Sequence, residues 1–188
     1  MEVGTQNFLS LIDACKNGSR TGQRKLYELY YSYGMSICLR YAAKKDEAQE
    51  ILNDGFYKVF TKIDQYDSNQ PFKQWFRTIL INTAIDYHRK FHKFEPFAEL
   101  NPSDTSNRVA NEGLENLLYE ELMESVQQLP PQYRLVFNLF AVDELTHQEI
   151  AQQLNISVGT SKSNYSKARR KLQGILMLNG HLKPYLHG

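Results

Sequence analysis

Apolar positions recurring every three or four residues run through most of this 188-residue chain, and that period is the mark of amphipathic helices rather than strands. Phe8, Leu9, Leu11 and Ile12 make a short opening of this kind, interrupted by Asn17, Gly18 and Ser19. From Gln23 to Lys44, the residues Leu26, Tyr27, Leu29, Tyr30, Tyr33, Ile37, Cys38 and Tyr41 predict a long helix with a wide buried face, weakest at Gly34. A second long helix is predicted from Asp46, with Ala48, Ile51, Leu52, Phe56, Val59, Phe60 and Ile63 inward and Gln49, Glu50, Asn53 and Asp54 outward. Loop composition follows in Asp64 to Gln70, DQYDSNQ, and Pro71 suits the start of a third long helix reaching about Lys93.

The periodicity then breaks. Pro96, Asn101, Pro102, Ser103, Asp104, Thr105, Ser106 and Asn107 read as a polar, acidic tether, which puts a domain boundary between Phe94 and Glu112. Beyond it, Leu114, Leu118, Leu122, Val126 and Leu129 form one helical stripe ended by Pro130 and Pro131. Gln132 to Val142 follows as an apolar helix with Tyr133, Val136, Phe137 and Phe140. The expected fold class is therefore all-α: two small helical domains, residues 1–94 and 113–188, joined by a flexible acidic linker at 95–112.

The stretch Thr146 to Leu172 reads as two short helices around a tight turn. Thr146 with Glu149 is a capping box, Asn155 tolerates the left-handed backbone that stops the first helix, and Ser157 caps the second. Along the second helix Val158, Ser161, Tyr165, Ala168 and Leu172 make one stripe, expected to pack on Ile150, Leu154 and Ile156. The opposite stripe is Gly159, Lys162, Ser163, Ser166, Lys167 and Arg170, small at the entry, basic beyond, and free of carboxylates. Such a face suits a DNA major groove: small residues allow close approach, cations meet phosphates, and lysine or serine bonds base edges.

Charge sharpens this picture. The formal net charge is only +1, yet Glu95 to Glu124 carries eight carboxylates against the single Arg108, and Ser157 onward has cations and no acids. In the third long helix, Phe72, Trp75, Phe76, Ile79, Leu80, Thr83 and Tyr87 are interleaved with Lys73, Arg77, Asn82, His88, Arg89 and Lys90. Aromatic rings among cations are what single-stranded nucleic acid needs. Phe76, Ile79 and Leu80 read as core, whereas for Trp75, Asn82 and Arg89 the pattern leaves core packing and strand contact both open. Cys15 and Cys38 sit in apolar contexts without metal-ligand spacing and read as small buried hydrophobes of a reducing, cytoplasmic compartment. No run approaches the ~20 apolar residues of a membrane span. His88 and His92 are four apart but lack a third ligand, and neither a phosphate loop nor a nucleophile elbow is present, so no metal, cofactor or catalysis is expected. A stand-alone regulator would need a ligand pocket or a phosphoacceptor cluster ahead of the helix-turn-helix, and the sequence offers neither.

Taken in order, these pieces resemble the bacterial RNA polymerase sigma factors of the extracytoplasmic-function type, from about Leu26 to Leu172. DEAQEILNDGFYKVF, from Asp46, resembles the family's helix that binds the polymerase clamp; PFKQWFRTILINTAIDYHRK, from Pro71, resembles the helix that melts and reads the minus-ten element. HQEIAQQLNISVGTSKSNYSKAR, behind the double proline, resembles the reader of the minus-thirty-five element. The resemblance implies that Glu50, Asn53 and Asp54 lie against the clamp of core RNA polymerase. It implies that Tyr66, Asp67, Ser68 and Asn69 form the pocket for a flipped base of the melted promoter strand, with Trp75 and Asn82 nearby and Arg89 further along. Lys162, Ser163, Ser166 and Lys167, with Gly159, Thr160 and Arg170, would meet the minus-thirty-five duplex. The linker would thread toward the RNA exit path, and family habit implies an anti-sigma protein. Gln49 and Asn53 depart from the family's usual glutamate and glutamine. Ser161 stands for a usual apolar residue and Asn164 for a usual basic one, which leaves the sequence read by this helix open.

Overall fold

Gly18, with φ of 72°, turns the chain between its first two helices as the polar break at 17–19 requires. The computed structural model describes residues 5–91 and 122–178, and its contacts divide the chain into two compact units between Tyr87 and His88. The expected linker, 95–112, lies outside the described residues, as do Leu114, Leu118 and His92.

The first unit comprises α1 (Thr5–Lys16), α2 (Arg20–Tyr41), α3 (Lys45–Thr61), a single 3-10 turn (Ile63–Gln65) and α4 (Phe72–Phe91) as far as Tyr87. Ser19 caps α2 by accepting a hydrogen bond from the Gly22 amide at 3.2 Å. Glu47, in the first turn of α3, accepts from the Ala43 amide at 2.8 Å and so ties down the preceding loop. The core joins Leu26, Ile37 and Cys38 of α2 to Ala48, Ile51, Leu52, Phe56 and Val59 of α3 and to Phe72, Phe76 and Leu80 of α4, all buried. Rings carry much of it, with Phe56 and Phe76 at 4.8 Å and Tyr30 and Phe72 at 4.7 Å between centroids. Both cysteines are free and buried, and burial pushes the Cys38 thiol up to about 12.

Two expectations change here. Leu29 is 43% exposed, because at 100° per residue it falls about 60° to one side of the line through Leu26, Tyr33 and Ile37. Gly34 is a point of closest packing rather than a weakness: a β-carbon there would stand 2.5 Å from Leu52 Cδ1 and 3.1 Å from the Phe76 ring.

The second unit contains a helical segment at 122–127, α5 (Pro131–Ala141), α6 (His147–Leu154) and α7 (Val158–Leu178). Pro131 occupies the first helical position of α5, where its missing N–H costs nothing. Val126, Leu129, Ala168 and Leu172 form a core cluster flanked by Leu122, Tyr133 and Phe137. The inward residues of α5 are Leu135, Val136 and Leu139 together with Arg134 and Asn138, a wider set than the periodicity suggests because α5 is covered on more than one side. The buried Arg134 guanidinium donates to the Gln127 carbonyl at 2.8 Å, meeting one of the free carbonyls at the end of the preceding helix.

Candidate nucleic-acid interface

The turn in the second unit is built by the side chains that the sequence singles out. The Thr146 hydroxyl accepts from the Glu149 amide at 3.2 Å, while the Thr146 amide donates to the Glu149 carboxylate at 2.8 Å and the Thr146 hydroxyl donates to it at 2.7 Å. These bonds hold the Glu149 carboxyl below its ordinary pKa. Asn155 sits at φ 53°, ψ 48°, and Ile156 returns its amide to the Ala151 carbonyl at 3.0 Å, closing the helix. Ser157 Oγ then accepts from the Thr160 amide at 2.9 Å and shares a 2.8 Å bond with the Thr160 hydroxyl.

From this fixed start α7 presents an exposed face. Residues 157–160 are all exposed, so the whole first turn stands clear of its own domain, and Lys162, Ser163, Ser166, Lys167 and Arg170 continue that exposure. Gly159 meets only the Ser157 hydroxyl within 4 Å of a would-be β-carbon, which leaves open space for a ligand's close approach. The inward stripe corrects the expectation at two positions. Val158 is 37% exposed, because it lies in that projecting first turn. Asn164 is buried beside Ser161 and Ala168, so its side chain belongs to the inner stripe and not to the outward face.

The periodicity also passes over His147. It is the first residue of α6, and its ring stacks flat on Phe140 of α5, 4.3 Å between centroids and 12° between planes. Its Nδ1 lies 2.9 Å from Ser161 Oγ. Only a polar residue at an otherwise apolar helix position, Ser161, hints at this pair in the sequence.

In the first unit the loop after the 3-10 turn is tightly organised. Asp67 Oδ1 accepts from both the Asn69 amide and the Asn69 side-chain nitrogen at 2.9 Å, an Asx turn that leaves Ser68 and Asn69 exposed at the tip. Tyr66 is placed differently from the rest of this group. It is buried, its hydroxyl donates to the Gln70 carbonyl at 2.7 Å, and its ring lies against Phe72 and Trp75 at 5.4 and 5.3 Å. Burial, with Asp67 alongside, raises the phenol pKa. Tyr66 therefore closes the loop from within, where a strand base would have to displace it. Trp75 is half-buried and borders the loop; Asn82 and Arg89 are exposed at successive seven-residue steps along the same side of α4.

On α3, Glu50, Asn53 and Asp54 share an exposed face. Asn53 is partly committed: its Oδ1 accepts from the Tyr27 hydroxyl at 3.2 Å and from Gln49 Nε2 at 3.0 Å. Tyr31 donates to Gln49 Oε1 at 2.8 Å. Two α2 tyrosines thus fix the amides, while the carboxylates of Glu50 and Asp54 face outward. Tyr57, seven residues after Glu50, extends this face as an aromatic 70% exposed. Among the described residues no cluster of metal-ligating side chains occurs, and no helix is long and apolar enough to cross a membrane.

Two family models match the two units. Sigma-70 region 2 covers residues 26–93, and Sigma-70, region 4 covers residues 119–172. The chain belongs to the sigma-70 family. It is a sigma factor of the extracytoplasmic-function type, a promoter-specific factor that binds RNA polymerase and regulates transcription initiation. It is 28% identical over 174 residues to the ECF RNA polymerase sigma factor SigW of Bacillus subtilis, a match spanning 86% of this sigma factor and 92% of that one. It is 27% identical over 152 residues to SigM of the same organism, spanning 80% and 93%. The solved structure of the sigma factor RpoE with the anti-sigma factor NepR from Bartonella quintana aligns at 19% identity and a TM-score of 0.46, over 82% of this sigma factor and 96% of that chain.

Proposed function

We propose that the residues of the two units divide the work of promoter recognition. The α7 face of Gly159, Thr160, Lys162, Ser163, Ser166, Lys167 and Arg170 enters the major groove of the minus-thirty-five element. The observation that carries this reading is the exposed first turn of α7 followed by a carboxylate-free row of serines and cations. The Asp67–Asn69 tip, with Trp75, Asn82 and Arg89, holds a base of the melted minus-ten strand, and Tyr66 braces the loop from behind. Extruding a base costs a few kcal/mol of stacking, so a site that rebinds it favours the open duplex. Glu50, Asn53 and Asp54 dock on the clamp of core polymerase, carboxylates meeting a basic partner.

In this reading residues 1–94 and 113–188 are the two working domains and 95–112 the acidic tether between them. RNA synthesis remains the polymerase's chemistry, and the place of work is the cytoplasm, where polymerase and chromosome are. Family membership also implies control by an anti-sigma protein. Transcription by purified bacterial core polymerase on a genomic fragment library, with and without this chain, tests the whole. Dependent start sites sharing two spaced upstream elements are expected. Specific duplex binding with no dependent start site would favour a stand-alone regulator instead.

A residue-level test accompanies it. Lys162→Ala is expected to lose about 1–3 kcal/mol of discrimination between a mapped promoter and a version with its upstream element replaced, measured by competition binding. Equal losses on both duplexes would show that Lys162 contacts phosphate alone.

A further inference from the structure

We propose that His147 is a positioning residue for promoter recognition, and that its hydrogen bond with Ser161 sets the roll of α7 and so the presentation of Lys162 and Ser163. The inference rests on the reading of α7 as the duplex-contacting helix. His147 touches each of the other helices around it. Its ring stacks on Phe140 of α5, its Nδ1 meets Ser161 Oγ of α7 at 2.9 Å, and Tyr165 of α7 packs edge-on at 5.9 Å.

Shape alone fixes the roll of α7 weakly at this end. In the first turn the inner stripe offers only Ser161, fully buried and small, and small residues interlock less than large ones against a facing helix; the large contact, Tyr165 on Phe140 at 4.5 Å and on Phe137 at 6.1 Å, comes one turn later. A hydrogen bond is directional and supplies the missing constraint. The consequence is amplified outward: with side chains reaching ~5–6 Å from the helix axis, a roll of ~20° shifts an outward group by ~2 Å, enough to break a hydrogen bond to a base edge. Ser161 immediately precedes Lys162, so the constraint acts where the contact is made.

The pair also makes recognition sensitive to pH. Burial, then the nearby Lys162 ammonium, lowers the His147 pKa. Of the groups packed around the ring, Phe140 from α5 is uncharged, Lys162 and Tyr165 come from α7, and Glu149 on α6 is committed to Thr146. A histidine whose folded pKa lies below its unfolded one contributes full stabilisation above the unfolded value, ~6.5, and loses it as pH falls below that toward the folded value. Protonation also turns Nδ1 into an obligatory donor beside a second cation.

The test uses holoenzyme assembled from core polymerase and the full chain, binding a linear fragment of a promoter mapped as above. His147→Phe keeps the stack and removes the nitrogen; Ser161→Val removes the hydroxyl. Each is expected to weaken binding about fivefold, from one lost buried hydrogen bond whose partner is left unmet. The double variant is expected to lose no more than either single variant, about fivefold, since each change already removes the same bond. The ratio of wild-type to His147→Phe affinity should hold above about pH 6.5 and fall toward one as the pH drops below it. Additive losses in the double variant, or a ratio that stays constant with pH, would overturn the proposal. Thermal melting monitored by circular dichroism accompanies each variant, and Ser161→Ala replaces Ser161→Val should the latter unfold. Lys162→Ala separates the two levels of inference. If it weakens binding and the His147 variant does not, only the positioning role fails; if neither has an effect, the assignment of the α7 face fails.

Discussion

Trp75→Ala is expected to slow opening of a duplex promoter by roughly ten- to a hundredfold, the equivalent of the ~1–3 kcal/mol that a base stacked on an aromatic ring contributes. Trp75 is half-buried at the edge of the loop whose tip exposes Ser68 and Asn69, so one side of its indole supports Tyr66 and Phe72 while the rest faces outward. A base leaving the duplex gains a partner only after it has unstacked, and the effect therefore falls on opening. On a template already unpaired over the minus-ten element the variant should transcribe within a few-fold of the wild type. Permanganate footprinting of the opened thymines, with abortive transcription on both templates, reads the difference. Equal impairment on duplex and pre-melted DNA would remove Trp75 from melting and leave it as support for the loop.

Gly34→Ala should destabilise the first unit. Alanine normally improves a helix interior over glycine by ~1 kcal/mol, and at Gly174 of α7, where a β-carbon would meet nothing within 4 Å, that gain should appear. At Gly34 the new methyl would sit 2.5 Å from Leu52 Cδ1 and 3.1 Å from two Phe76 ring atoms. Both neighbours are fully buried, so the Leu52 methyl must shift and the Phe76 ring give a few tenths of an ångström inside a close-packed core. Overpacking of this sort costs ~1–3 kcal/mol and here acts on two side chains at once, so a net loss of about 1–2 kcal/mol is expected. For a unit of this size that corresponds to a melting transition lower by roughly 5–10 °C. Calorimetry on the two variants checks the pair, and a rise in melting temperature for Gly34→Ala would show that helix propensity outweighs the clash.

The placement of the first domain's surfaces was only partly readable from the chain. The outward set on α3 follows directly from spacing, since Glu50, Asn53 and Asp54 fall on one side of a helix whose other side is apolar. What spacing could not reveal is that Tyr27 and Tyr31, from another helix, bind the amides of Asn53 and Gln49. The same limit explains Tyr66. Loop composition marks residues 66–70 as a turn, but a tyrosine in a loop gives no sign of whether it points to solvent or, as here, closes the loop over Phe72 and Trp75.

The sequence by itself determined the helices, the capping box at Thr146, the left-handed stop at Asn155 and the cation-and-serine face of α7. Each of these is a local matter, decided by hydrogen-bonding groups within four residues of one another or by the helical period. Tertiary structure alone decided which small residues mark closest approach, as at Gly34 and Gly55, and that Asn164 turns inward while Val158 is left exposed. It also joined His147 to Ser161, fourteen positions apart. These depend on how helices from distant parts of the chain meet, and a periodicity reports the side of a helix that is covered but not which neighbour covers it, or how tightly.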